Sequence, residues 1–339
     1  MNGTNSLPSL PQRALVIAFC LLVGGGLGWY LLSGPAPSTG EAARTVVIKP
    51  QTGAFDIANT LKEARVIRSR VAFLIVAVAR GTQRRLLAGE YEFAPGLSLF
   101  EVIRRIEQGK GLVNQVTIPE GFAARQIAEL LREKGLVDQN RFIALLQDRR
   151  LLQQYRIEGP SLEGYLFPDT YRLVKGMREE AIIGLMAQRF AEVFGPAERV
   201  RARELKLSVA DIVTLASLIE REAKADDERP LISAVFHNRL RLGMPLQSDP
   251  TVLYSLSRFG GKLTKANLQA PSPYNTYLHR GLPPGPIASP GRASVMAALY
   301  PASSQYLYFV SKNDGTHVFS NTLREHDAMV RRYQIGRAG

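Results

Sequence analysis

The sequence predicts an α+β chain in three parts: an N-terminal membrane helix, a small α+β domain, and a mainly helical domain with a β-hairpin. Three observations predict it. Nineteen residues without a charge, Ala14 to Leu32, lie near the start. A strand–turn–helix–helix pattern then occurs twice, seventy positions apart. Beyond Ser161, helix-length apolar segments dominate until two short alternating segments meet at an Asn-Asp-Gly turn. With 339 residues, 45% of them hydrophobic, the chain can build two modest cores.

The first 13 residues read as a short cytoplasmic N-terminus. Residues 14–32 are long enough to span a bilayer's hydrocarbon core, and Trp29 and Tyr30 stand near the outer end, where aromatic side chains prefer the interface. The run exceeds the apolar region of a secretory signal, and no small-residue cleavage site follows. An uncleaved single-pass anchor is therefore expected. Arg13 precedes the span while Arg44 and Lys49 lie well beyond it, which favours export of the bulk of the chain. Residues 33–44, rich in Pro, Gly, Ser and Ala, form the linker.

In residues 45–158, Ile57-Ala58-x-x-Leu61-Lys62-Glu63 recurs as Ile127-Ala128-x-x-Leu131-Arg132-Glu133. Each copy follows a β-like segment with a Pro/Gly turn and leads into a second apolar helix, Val71 to Ala79 and Phe142 to Leu146. Between the copies, Gly89 to Phe93 alternates as a strand. Ser98 with Glu101 reads as a capping box for a helix from Leu99 to Ile106. Strand, turn and short helices of this size resemble a LysM-like glycan-binding module.

Residues 159–339 carry expected helices at Glu179–Phe194, Val209–Ala223, Pro230–Leu242, Arg292–Leu299 and Thr322–Tyr333. Tyr306–Ser311 and Thr316–Ser320 are expected strands, joined at Asn313-Asp314-Gly315.

Composition removes several function classes. Cys20 is the only cysteine, so neither an intrachain disulfide nor a thiolate metal cage can form. His237, His279, His317 and His326 lack metal-ligand spacing, and no metal or cofactor is expected. Neither a P-loop nor a G-x-S-x-G elbow occurs. The net charge of +13 favours a polyanion: nucleic acid, anionic lipid or an acidic wall polymer. No RNP motif, zinc finger or Arg-rich run supports nucleic acid.

Chemistry concentrates after Val209. About eleven nearly all-apolar residues run without a break into Glu220-Arg221-Glu222. A wholly apolar helix is buried, so its last turn carries carboxylates inward, where burial raises a carboxyl pKa toward that of a general acid. Two residues apart on a helix, Glu220 and Glu222 point about 200° apart. Only one can serve a given site, and the other is expected to pair with Arg221, Arg229 or Arg239. Residue physics leaves the choice open. The surrounding loops are rich in groups suited to sugars. Glu163 and Asp169 could position a substrate or tune the acid, with helix capping or an Arg pair as the alternative. Gln247, Ser248 and Asp249 could bind acetamido groups. Tyr274, Asn275 and Tyr277 could stack on sugars or shape the site. Asn238 is expected to be a structural hydrogen-bonder.

LASLIERE followed by FHNRLRLGMPLQSDPTVLY, with EGYLFPDTY upstream and SPYNTYLHRGLPPGPIASPG downstream, resembles the YceG-like endolytic murein transglycosylases over nearly the whole chain. The resemblance implies cleavage of the MurNAc-β-1,4-GlcNAc bond of peptidoglycan without water, leaving 1,6-anhydroMurNAc ends, and a role in terminating nascent glycan strands. It implies Glu222, the second Glu of the family's E-[KR]-E motif, as the one catalytic residue. Family members often place Thr after this Glu; Ala223 here removes that candidate hydroxyl partner. The implied setting is the cell inner membrane, with the catalytic domain in the periplasm, peptidoglycan strands as substrate and peptidoglycan synthases as partners. The alternative is a non-catalytic, membrane-anchored peptidoglycan-binding scaffold.

Overall fold

The first copy of the repeated pattern folds as strand β1 (Arg44–Ile48), helix α1 (Ala54–Glu63) and helix α2 (Arg70–Ala79). This computed structural model describes residues 25–26, 28–30, 33–34, 42–49, 52–83, 85–109 and 111–335. Ile57, Ala58 and Leu61 share one face of α1 and are buried, as their spacing requires. The Ser69 side chain caps α2 by accepting from the Ala72 N–H. Strand β2 (Gly89–Phe93) pairs antiparallel with β1, from Arg44 opposite Phe93 to Ile48 opposite Gly89. Helix α3 (Leu99–Glu107) opens with the expected Ser98–Glu101 capping box. Phe73, Tyr91, Ile103 and Ile106 fill the core of this region.

The second copy is β3 (Val113–Thr117), α4 (Ala124–Glu133) and α5 (Gln139–Leu145). Ile127, Ala128 and Leu131 are buried at the positions that match the first copy. Helix α6 (Arg149–Gln154) follows. Strand β4 (Thr170–Val174) pairs with β3. Its Thr-Tyr-Arg-Leu-Val sequence alternates and favours strand.

The chain divides into two compact units, one ending at Asn114 and including Leu173–Met177, the other made of Gln115–Arg172 and Arg178 onward. Residues 115–158, grouped with the small α+β region in the sequence, contribute their elements to the second unit.

The second unit continues with α7 (Glu179–Val193), α8 (Pro196–Glu204), α9 (Val209–Glu222), α10 (Arg229–Arg241), α11 (Asp249–Ser255), α12 (Lys265–Leu268) and α13 (Arg292–Leu299). Strands β5 (Tyr308–Ser311) and β6 (His317–Ser320) form the expected antiparallel hairpin, and α14 (Leu323–Val330) follows. Asn313 and Gly315 take positive φ at the turn. The architecture is α+β: helices with two-stranded sheets. Helix α9 is its hub. Ser208 and Asp211 form its capping box, and every residue from Ile212 to Ile219 is buried. Tyr165, Phe190, Phe236, Leu246 and Ile287 belong to the same core.

Of the expected membrane span at 14–32, only 25–26 and 28–30 are described; the rest, the N-terminus 1–13 and linker residues 35–41 lie outside the described residues. Among the described residues, no helix is long and apolar enough to cross a membrane.

Candidate active site

The end of α9 presents two glutamates to different surroundings. Glu220 is tied down. Its Oε1 lies 3.4 Å from the Arg229 guanidinium, and its Oε2 accepts the Gly291 N–H at 3.0 Å. Arg229 is itself held by Ser294 Oγ at 3.0 Å and by Asp226. Glu120 joins this side: its carboxylate lies against Gly291, where an added Cβ would come within 2.0 Å of it and displace it. Burial first, then the charge of Glu220, raises the Glu120 pKa.

Glu222 stands differently. It bonds no arginine; its Oε1 accepts a hydrogen bond from Ser248 Oγ at 2.6 Å. Its residue keeps part of its surface accessible, yet protein packs densely enough around the carboxyl to push it up to about 7. The Ser248 bond opposes that rise, the charge of Asp249 adds to it, and Arg221 and Arg239 oppose it from farther away. The chain leaves the helix right after Glu222, with Ala223 in an extended conformation. Thus a hydroxyl does reach this carboxyl, from Ser248 rather than from the following residue.

The segment before α11 sets Ser248. Gln247 adopts a left-handed φ of 50°, and its N–H bonds Thr276 O at 3.1 Å. The Ser248 N–H bonds Thr276 Oγ1 at 3.0 Å, and Thr251 Oγ1 donates to Ser248 O at 2.6 Å. Pro250 at the first turn of α11 is preorganised for a helix, which is why the Gln247–Thr251 loop becomes helical so soon. Arg239 braces the segment through Leu246 O at 2.9 Å and Gln247 Oε1 at 3.3 Å, while its Nε bonds Leu307 O at 2.7 Å. Tyr277 donates its hydroxyl to Asp249 Oδ1 at 2.6 Å. Glu222, Gln247, Ser248, Asp249 and Tyr277 therefore belong to one bonded and electrostatically coupled group.

Other sequence candidates lie elsewhere. Glu163 is buried; its Oε1 accepts the Ala124 N–H at 2.9 Å and its Oε2 the Tyr254 hydroxyl at 3.1 Å. Burial pushes it up to about 7 against those two donors. Tyr254 packs on Tyr274 with ring centroids 5.0 Å apart. Gly164, beside Glu163, has φ +82° and lies so close to Pro286 that a Cβ would sit 2.5 Å from that ring. Ser217 on α9 accepts the Ile287 N–H at 3.1 Å, which fixes the Pro/Gly-rich segment. Asp169 pairs with Arg189 at 2.7 Å; the Thr170 N–H, first, and this arginine lower its pKa. Asn275 is fully buried. Its amide donates to Leu268 O and Ala270 O, and its Oδ1 accepts the Tyr277 N–H. Its capacity is spent holding the loop. Asn238 is a strut too, donating to Ser304 O and Tyr306 O.

Sequence reasoning did not single out Glu120, Tyr254 or Thr276. A signal existed for Glu120: in the second copy it stands where the first has Pro50, an acid introduced into a repeated turn. Tyr254 and Thr276 had no such signal, because both act through partners distant in sequence.

Three comparisons bear on the chain. A protein of Bacillus subtilis named endolytic murein transglycosylase is 35% identical over 331 residues, which cover 92% of this chain and 91% of the relative. A Streptococcus pneumoniae protein of the same name is 28% identical, over 94% of this chain and 65% of the relative. The crystal structure of a yceG-like protein from Listeria monocytogenes superposes with a TM-score of 0.59 at 33% identity, covering 85% of this chain and 99% of that one. The model of the YceG-like family matches residues 46–332, and with that span the chain belongs to the YceG-like family.

Proposed function

We propose that this chain is an endolytic peptidoglycan lytic transglycosylase, with Glu222 as its acid and base. The observation that carries the proposal is one carboxyl, partly accessible, pushed up to about 7 and oriented by a single hydroxyl. Near neutral pH such a group is populated in both protonation states, as two successive proton transfers require. The names of the relatives support the substrate class.

In the first step the protonated Glu222 gives its proton to the glycosidic oxygen as the C1–O4 bond breaks. GlcNAc leaves with that proton as its 4-hydroxyl. The N-acetyl group of MurNAc assists at C1, so a second catalytic carboxylate is not needed. In the second step the Glu222 carboxylate removes the C6 hydroxyl proton as O6 bonds C1. The products are a 1,6-anhydroMurNAc end and a restored acid, with no water consumed. Ser248 orients the carboxyl. Gln247, Asp249 and Tyr277 are proposed to meet the acetamido groups and sugar faces beside it. Glu163, Tyr274, Asn275 and Asp169 are proposed to shape the surroundings, in keeping with their internal partners.

The strand–helix–helix order of the first unit supports reading it as a LysM-like glycan-binding module. The apolar run at 14–32 supports an inner-membrane anchor with the catalytic domain, residues 159–339, in the periplasm. Strand termination beside peptidoglycan synthases fits that location. Mass spectrometry of purified peptidoglycan after digestion tests the reading. Anhydro-ended fragments are expected; reducing-end hydrolysis products, or no release, would refute it.

A further inference from the structure

Helix α2 is apolar on two faces. Phe73, Val76 and Ala77 are buried in the first unit's core, while Val71, Ile75 and Val78 are 63%, 51% and 62% exposed. At about 100° per residue these three, with Leu74, fall within one stripe roughly 100° wide. A helix face turned to water ordinarily carries polar side chains. This one is aliphatic and offers no ring on which a sugar could stack. Its charge surroundings are one-sided. Residues 64–85 contain six arginines, at 65, 68, 70, 80, 84 and 85, and neither Asp nor Glu. In the sequence all six lie before or after the stripe rather than within it. Arg80 pairs with Glu107 of α3, and Arg70 bonds the uncharged Asn59 of α1.

We propose that the exposed face of α2 docks on an anionic lipid bilayer, with Val71, Ile75 and Val78 entering the acyl boundary and the flanking arginines meeting headgroup phosphates. Aliphatic stripe and basic flanks are the two attractions that hold an interfacial helix. The inference rests on the anchored reading of residues 14–32. Only residues 33–43 separate that run from β1, so the first unit stays within about 40 Å of the bilayer. Such a tether makes docking intramolecular, and weak contacts then suffice.

The test uses the full chain with Cys20→Ser and Ile75→Cys, an exposed substitution, labelled with an environment-sensitive fluorophore. The chain is reconstituted into phosphatidylcholine vesicles with and without phosphatidylglycerol. Flotation reports the anchor, and the probe reports α2. Blue-shifted emission, quenched by lipid-borne spin labels only in the anionic vesicles, is expected. Replacing the exposed Arg65, Arg70 and Arg85 with Gln should lower the docking equilibrium constant about fivefold per charge removed. Water-like emission in anionic vesicles that carry the chain on flotation overturns the proposal and leaves the anchor standing. Absent flotation, quenching by added anionic vesicles still supports it, and absent quenching overturns it. A blue shift that instead needs glycan strands, or grows with protein concentration without lipid, assigns the face to another partner and overturns it as well.

Discussion

Glu220 and Glu222 share one helical turn, yet their surroundings have opposite consequences. Glu220 meets a guanidinium and a backbone N–H, so its charge is compensated and its role is to fix α9 against Arg229 and Gly291. Glu222 meets one hydroxyl within a dense shell, so its charge is poorly compensated and its proton is retained to about 7. A fold can thus give identical side chains two residues apart opposite surroundings, by partner alone.

The largest way to break that contrast is at Glu222. Glu222→Gln should lower turnover of peptidoglycan by about 10²–10⁴, the range of a lost general acid–base group, with the thermal unfolding midpoint at neutral pH not reduced. Glu220→Ala should do the reverse. It should cost about 2 kcal/mol in denaturant titrations, below the value for a fully broken buried pair because Arg229 keeps Asp226.

Proton linkage sharpens the contrast further. Glu163 and Glu222 have folded values of about 7 against an ordinary 4.5. Each therefore contributes stability that is complete below about 4.5 and is lost as pH rises through 7. Glu222→Gln removes one of these contributions, so its midpoint should fall less than wild type between pH 5 and 8. The smallest change expected is from Ser248→Ala. The Ser248 hydroxyl favours the ionised carboxyl; without it the Glu222 pKa rises, and the high-pH limb of the kcat/KM profile should move up by about one pH unit.

Much of this was legible in the sequence where the physics is local. The capping box at Ser98, the buried faces of α1 and α4, and the Asn-Asp-Gly hairpin depend on neighbours within four residues or so. The repeat was legible as well, but not what distinguishes its copies. The α1 cap at Gly53 has no side-chain partner, whereas at the matching end of α4 the Ala124 N–H bonds Glu163, 39 residues away. The site is written in such distant pairs. Sequence left Arg221, Arg229 and Arg239 equal as partners for the second glutamate. The structure gives Glu220 to Arg229, sends Arg221 to the carbonyls of Gly121 and Phe259, and sets Arg239 as the brace of the Ser248 segment. The Ser248–Glu222 bond joins residues 26 apart, and no periodicity predicts it.

The most direct measurement compares Glu222→Gln and Glu220→Gln on the same purified peptidoglycan, with anhydro-ended fragments counted by mass spectrometry per folded molecule. Glu220→Gln should release them at a rate within about tenfold of wild type, and Glu222→Gln should release essentially none. Release by Glu222→Gln with loss in folded Glu220→Gln would contradict the assignment and move the acid to the other face of α9.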